Sequence, residues 1–327
     1  MKILIISGFL GAGKTTFIQA LVKKTQREIV VLENEYGSIG VDGDILRSDP
    51  ESDKINVWEM TEGCICCSTK RNFAESVLTI ANTIDPEYLV IEPTGVGSLG
   101  NVIQNLQQIE YERITLLAPI TIVDGNSYER YLREYGDLYK DQLGHASCII
   151  VSKMEQADDQ QCRLLEKRLG EFNSSAPILT THYSKMDGEW WQRLLDTKYD
   201  GTSLAVPDTM ADQLPDSLSL KEIALNAPEQ VILFLEQLVR EGFGAIIRAK
   251  GCIRAGDILM RFDVADGLYS VTGAGADMES RAVFIGRDIR RQELRRVLYS
   301  NGDKVKIRAL PTDKAASKRR LGVKTDN

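Results

Sequence analysis

Histidine is scarce in this sequence: 327 residues contain two, His145 and His182, and neither lies near a cysteine along the chain. Both are read as structural. Long hydrophobic runs are missing as well, and no apolar stretch approaches the roughly 20 residues of a membrane-spanning helix, so no membrane partner is expected. Nor is there an excess of positive charge. The 40 Lys and Arg against 47 Asp and Glu leave a net charge of -7, which argues against a general nucleic-acid binder. A targeting segment is not visible either, because the apolar run Ile3 to Ile6 is only a strand's length and a glycine-rich loop follows at once. The expected setting is therefore cytoplasmic, where thiols stay reduced. Six cysteines there read as metal ligands, reactive thiols or core residues rather than as a disulfide framework. No internal repeat is found.

What is present is an ordinary globular composition, 43% apolar and 27% charged, over a length too great for one core. Residues 1–200 alternate strand-like segments (2–7, 28–33, 87–91, 114–123, 147–152, 176–180) with helical ones (14–25, 69–84, 97–109, 127–142, 156–171, 188–196). Several strands are β-branched and apolar throughout, as expected where helices cover both faces. The predicted fold class is α/β, a nucleoside-triphosphatase domain with a mostly parallel sheet and helices on both sides. Residues 201–216 lose periodicity and read as a linker. A smaller α+β domain is expected over 217–310, with strands near 217–223, 244–250, 257–264, 267–273 and 281–287 and helices at 228–242 and 290–299. The polar, basic tail 311–327 is expected to be disordered.

The stretch Gly8-Phe9-Leu10-Gly11-Ala12-Gly13-Lys14-Thr15 has the spacing G-x-x-x-x-G-K-T and lies between an apolar strand and a helical segment. Glycines at 8, 11 and 13, with Ala12, let backbone N–H groups curl around phosphates without side-chain clash. Lys14 would neutralise the β and γ phosphates, the Thr15 hydroxyl would ligate Mg²⁺, and Thr16 follows in the same turn. A carboxylate should stand near the magnesium at the end of a neighbouring strand. Glu92 closes the run Tyr88-Leu89-Val90-Ile91 and precedes Pro93-Thr94-Gly95, whose glycine N–H would sense the γ-phosphate. Asp124 is the rival carboxylate.

Four stretches in order, Gly8 to Thr16 (GFLGAGKTT), Glu33 to Gly37 (ENEYG), Gly63 to Cys67 (GCICC) and Glu92 to Gly95 (EPTG), resemble the CobW-type GTPases, relatives of the HypB and UreG GTPases that help load nickel enzymes. EGFGAIIRAKG and AVFIGRDI in the second half look like that family's C-terminal domain. The resemblance implies a GTP-dependent metallochaperone or metal-insertion factor with a client metalloenzyme or metal-pathway protein as partner. It also implies that Asn34, Glu35 and Gly37, with Thr94, act as switch residues. Cys64, Cys66 and Cys67 would then bind a transition metal, Zn²⁺ or Co²⁺. The His-rich storage loops of some relatives have no counterpart here.

The chemistry of the cysteines is compatible with that. Three thiolates within four positions form a dense soft-ligand cluster, and a fourth ligand would come from Glu35, water or a second copy. Core residues and a redox pair are the other readings. Cys148 reads as core; Cys162 and Cys252 receive no role.

Guanine selection ordinarily uses an N-K-x-D or S-K-x-D motif after a strand. The matching residues are Ser152-Lys153-Met154-Glu155, so a glutamate stands where the base-binding aspartate would be, and ATP stays open beside GTP. No arginine is placed by the sequence as a finger in cis, which predicts slow intrinsic hydrolysis. Two other readings remain: a maturation factor for a corrinoid or nickel enzyme that carries no metal itself, and a small-molecule kinase. Homo-oligomerisation is possible on either.

Overall fold

Strand β1 (Lys2–Gly8) buries Ile3, Leu4, Ile5 and Ile6 together, so both of its faces must be covered. The computed structural model, which describes residues 1–33, 55–59, 70–111, 113–201, 215–265, 267–275 and 278–299, shows how. Helix α1 (Lys14–Thr25) follows β1, then β2 (Ile29–Glu33), β3 (Ile55–Glu59), α2 (Lys70–Thr83), β4 (Tyr88–Glu92) and α3 (Leu99–Gln107). Next come β5 (Thr115–Leu116), β6 (Ile120–Asp124), α4 (Tyr128–Glu134), α5 (Gly136–Gly144), β7 (Cys148–Ser152), α6 (Asp159–Gly170), β8 (Ile178–Leu179) and α7 (Gly188–Asp196). The strands make one eight-stranded sheet in the order β3-β2-β4-β1-β6-β7-β8, with β5 also paired to β1 and every strand pairing parallel.

Alternation along each strand divides the core in two. Leu4, Ile6, Val31 and Val90 face Phe17, Ile18 and Leu21 of α1 and Trp191 of α7. Ile3, Ile5, Val30, Leu32, Leu89 and Ile91 face Phe73, Val77 and Ile80 of α2 and Val102 and Ile103 of α3. The carboxyl ends of β1 and β4 lie side by side at the middle of the sheet, the place where open α/β sheets hold their ligands.

The second unit comprises β9 (Asp216–Lys221), β10 (Ala224–Leu225), α8 (Pro228–Val239), β11 (Ala245–Ala255), β12 (Ile258–Ala265), β13 (Leu268–Gly273), β14 (Arg281–Arg287) and α9 (Arg291–Tyr299). Its sheet runs β13-β12-β11-β14-β9 with antiparallel neighbours, and β10 joins β11 in parallel. One face packs on α8 and α9 through Ala282, Phe284, Phe234, Leu235, Leu294 and Leu298. The alternate residues Val283 and Ile285, with Ile247, turn the other way and join Phe9, Leu10, Tyr131 and Tyr135 of the first unit in one core. Arg287 sits 4.4 Å from the Tyr135 ring centre and donates to the Glu134 carbonyl at 2.9 Å.

Differences from the sequence expectations include the unanticipated β10, the extension of β11 to Ala255 and three in the first unit. Strand β3 was not anticipated: its Asn56 and Glu59 interrupt the apolar pattern because it stands at the sheet edge. The expected strand 114–123 is two pieces. Lys2 pairs with Thr115 and Ile6 with Ile120, so four steps on β1 span five on the partner, and the extra residue falls beside Pro119, which has no N–H to give the ladder. The expected helix 127–142 breaks at Tyr135, where ψ is 37°. That break turns the Tyr135 ring into the shared core against Phe9, 5.1 Å away.

Helix α6 leads away from the Ser152–Glu155 segment and starts with a reciprocal cap, the Asp158 carboxylate accepting from Gln161 N at 2.8 Å while the Gln161 side chain accepts from Asp158 N at 3.1 Å. Asp158→Ala is expected to lower stability by about 1 kcal/mol, read by urea unfolding of the whole chain. An unchanged midpoint would show that the cap contributes nothing.

Candidate functional site

The Gly8–Thr15 loop takes its shape from three glycines at positive φ, Gly8, Gly11 and Gly13. Gly8 has φ +143°, and a methyl group there would lie 2.3 Å from the Ile122 carbonyl oxygen of β6. Gly13, at φ +93°, caps α1 with no side-chain hydrogen bond and no acidic residue in the first turn. The helix N-terminus therefore presents its N–H groups and positive dipole end to the loop, an arrangement suited to an anion.

Lys14 is buried. Its ammonium donates to the Phe9 carbonyl at 3.4 Å and lies 3.8 Å from Glu92 Oε1. The Thr15 hydroxyl is 3.3 Å from both Glu92 oxygens. The loop and the end of β4 thus converge as the sequence reading required, and a hydroxyl beside a buried carboxylate is a hard-oxygen donor set that fits Mg²⁺. Asp124, the rival, is otherwise engaged: Oδ2 accepts from the Lys153 ammonium at 2.7 Å and Oδ1 from Asn126 N at 2.9 Å.

The segment after Glu92 is held from behind. Gln142 of α5 is fully buried and donates through Nε2 to the carbonyls of Gly95 at 3.1 Å and Gly97 at 2.9 Å. Asp141 Oδ2 accepts from Leu99 N at 2.7 Å. Thr94 closes a turn, its carbonyl accepting from Gly97 N at 2.9 Å. Gly95 presses on the phosphate loop, where a methyl group would meet Leu10 N at 2.5 Å.

At the end of β7, the Ser152 hydroxyl donates to the Ala12 carbonyl at 2.7 Å, tying this strand end to the phosphate loop. Lys153 takes a left-handed φ of 61° and, with Met154, Glu155 and Asn126, lines a cleft of about 680 Å³. The Glu155 carboxylate lies 3.3 Å from His182 Nε2, and the His182 ring stacks on Tyr183 at 4.3 Å. His145 is buried against Asp141, Nδ1 to Oδ1 3.0 Å. Cys148 packs on the sheet core, and burial pushes its thiol from 9.0 up to about 11, so little thiolate forms near neutrality. Cys252 is buried inside the second unit.

Asn34, Glu35, Gly37, Cys64, Cys66 and Cys67 lie outside the described residues, as do most of the predicted linker and the whole tail. Sequence reasoning missed three positions of the site. Glu33 is buried and in register with Glu92 on the adjacent strand, and it closes an apolar run as Glu92 does, a signal that could have been used. Gln142 and His182 reach the site through tertiary contacts that no local pattern announces.

A glycine loop between a buried strand and a helix, a lysine and a hydroxyl at that helix's first turn, and a carboxylate on the neighbouring parallel strand define a P-loop nucleotide-binding protein. The chain belongs to the CobW/HypB/UreG nucleotide-binding family, whose model matches residues 2–180, and residues 216–300 match the cobalamin synthesis protein cobW C-terminal domain. Among relatives, zinc chaperone YjiA of Escherichia coli is 28% identical over 57% of this chain and 59% of its own length. Zinc-regulated GTPase metalloprotein activator 1 of Schizosaccharomyces pombe is 27% identical over 57% of this chain and 47% of its own. Zinc chaperone CobW of Pseudomonas aeruginosa is 28% identical over 55% and 56%. The chain thus spans about half to six-tenths of the length of these relatives. No helix among the described residues is long and apolar enough to cross a membrane.

Proposed function

We propose that this chain is a GTP-hydrolysing metallochaperone that carries zinc or cobalt on Cys64, Cys66 and Cys67 and passes it to a client metalloprotein. The observation that carries the nucleotide half is the convergence of Lys14, Thr15 and Glu92 at the end of β1 and β4. The metal half is supported by the G-C-I-C-C stretch and by relatives whose names say zinc chaperone.

In this reading Gly11, Ala12, Gly13, Lys14 and Thr16 cradle the phosphates, and Gly95 senses the terminal one. Lys153 covers the base while Glu155 accepts from it, with Ser152 holding that loop in place. Thr15 and Glu92 hold Mg²⁺, which supplies neutralisation of phosphate charge. Glu35 in the Asn34–Gly37 switch completes the metal shell in one nucleotide state and leaves it in the other. A client or metal raises the rate of hydrolysis.

The test is a titration of metal-free protein with Zn²⁺ and Co²⁺ in the presence of a GTP analogue, GDP or neither, with cobalt-thiolate absorption reporting cysteine ligation. Each tenfold difference in metal affinity between nucleotide states corresponds to about 1.4 kcal/mol of coupling. Equal affinities in all three conditions would remove the coupling; absence of the thiolate band would remove the metal site.

A further inference from the structure

Strand β11 carries an irregularity that decides where one arginine goes. Its register with β14 shifts between Ile246 and Arg248. Ile246 and Ala249 face the core of the second unit, whereas Ile247 joins the core shared with Phe9 and Leu10. In an unbroken strand Arg248 would share the inward face with Ile246. The bulge instead puts it on the side of Ile247, above the phosphate loop.

There the guanidinium is divided between two tasks. Nη2 donates to Asp263 Oδ2 of β12 at 2.8 Å, and the arginine side chain is only 14% exposed. Nη1 is turned toward the loop: a methyl group on Gly11 would lie 2.9 Å from it and 3.5 Å from Ala265 Cβ. Gly11 is central in the loop, where backbone N–H groups gather around phosphate oxygens. Its neighbours Phe9 and Leu10 are sealed against Ile247, Val283 and Ile285. A charged, planar donor from the second unit thus stands against the phosphate loop at Gly11 under partial desolvation, where its field acts most strongly.

We infer that Arg248 is an arginine finger supplied in cis by the second unit, a catalytic residue that contacts the phosphates at the bond being cleaved. The inference rests on the reading of the chain as a GTPase. In the step it serves, water adds to the γ-phosphorus as the bond to the β–γ bridging oxygen breaks. GDP and inorganic phosphate leave, and the water's proton passes to solvent or phosphate. Negative charge grows on the bridging oxygen, and the Arg248 guanidinium neutralises it. Asp263 is a positioning residue, holding one edge of the fork so that the other faces the loop. Because the finger comes from the second sheet, GTP cleavage depends on the two units staying docked.

The experiment compares full-length wild type, Arg248→Ala and Arg248→Lys. Lysine keeps the charge and the Asp263 pairing but lacks the planar fork. Both variants are expected to lower kcat for GTP about thirtyfold, the margin between GTPases with and without an arginine in cis, while KM and fluorescent GDP binding stay within about twofold. Both are expected to lose the complex of GDP with aluminium fluoride, which mimics the transferring phosphate. A merely structural arginine predicts wild-type kcat and a wild-type aluminium fluoride complex for Arg248→Lys, and that result overturns the inference even if Arg248→Ala fails to fold. Wild type that neither binds nor cleaves GTP would instead overturn the GTPase reading on which it rests.

Discussion

Lys14→Met is expected to reduce GTP turnover by about 10²–10³-fold, the usual cost of removing one charged or hydrogen-bonding group aimed at developing transition-state charge. It has a second effect. The Lys14 ammonium and Glu92 Oε1 are 3.8 Å apart with side chains 8% and 9% exposed, so methionine leaves a buried carboxylate without the lysine charge opposite it. Breaking a buried pair in that way costs about 3–5 kcal/mol. Adding Glu92→Gln removes the charge, so the double variant is expected to regain most of that stability and none of the turnover. Phosphate release and urea unfolding of nucleotide-free protein check both parts. A single variant with wild-type turnover, or a double variant no more stable than the single, would contradict this account. The same geometry explains how the site tolerates its own charges: the lysine and glutamate neutralise each other.

Cys66→Ser with Cys67→Ser is expected to lower zinc affinity by about 10⁴-fold or more. Four-ligand zinc sites bind with apparent free energies of about 10–16 kcal/mol, or about 2.5–4 kcal/mol for each ligand, so two lost thiolates remove at least about 5 kcal/mol. Competition with a chromophoric chelator measures this, and Co²⁺ should lose its thiolate band in parallel. Of the three cysteines among the described residues, Cys252 and Cys148 are held in cores and the Cys148 thiol is raised to about 11, which leaves Cys162 as a single thiol. Retention of tight zinc binding by the double variant would move the metal elsewhere. If metal binding is lost and nucleotide cleavage with it, the two sites are coupled more tightly than a switch loop alone provides.

Much of the phosphate half was legible in the sequence. The Gly8–Thr15 loop is a local object: its glycine φ angles, helix start and lysine all lie within one short stretch, so spacing alone describes them. Glu92 was legible for a similar reason, because an apolar strand that ends in a carboxylate must present it at the sheet's carboxyl edge. Glu33 obeyed the same rule and was passed over. The Ser152–Glu155 segment was only half legible. Spacing found Ser152, Lys153 and Glu155, but not that Ser152 grips the Ala12 carbonyl or that His182 meets Glu155. Strand β3 and the break at Tyr135 were missed because edge position and cross-unit packing overrode the local pattern, whereas the break at Pro119 was marked by the proline itself.

The sequence by itself determined that a nucleotide-phosphate loop sits on an α/β sheet, that a smaller α+β unit follows, and that a carboxylate closing a strand would stand near the loop. Periodicity and short-range chemistry carry that information, since each depends on residues close together along the chain. Tertiary structure set Glu92 against Lys14 and Thr15 and gave Asp124 to Lys153 and Asn126. It also braced Gly95 with Gln142 and brought Arg248 over Gly11. Those contacts join residues far apart in sequence through sheet order and a single bulge. Whether an arginine faces its own core or a neighbour's phosphate loop turns on one extra residue in a strand, and no spacing rule in the sequence marks it.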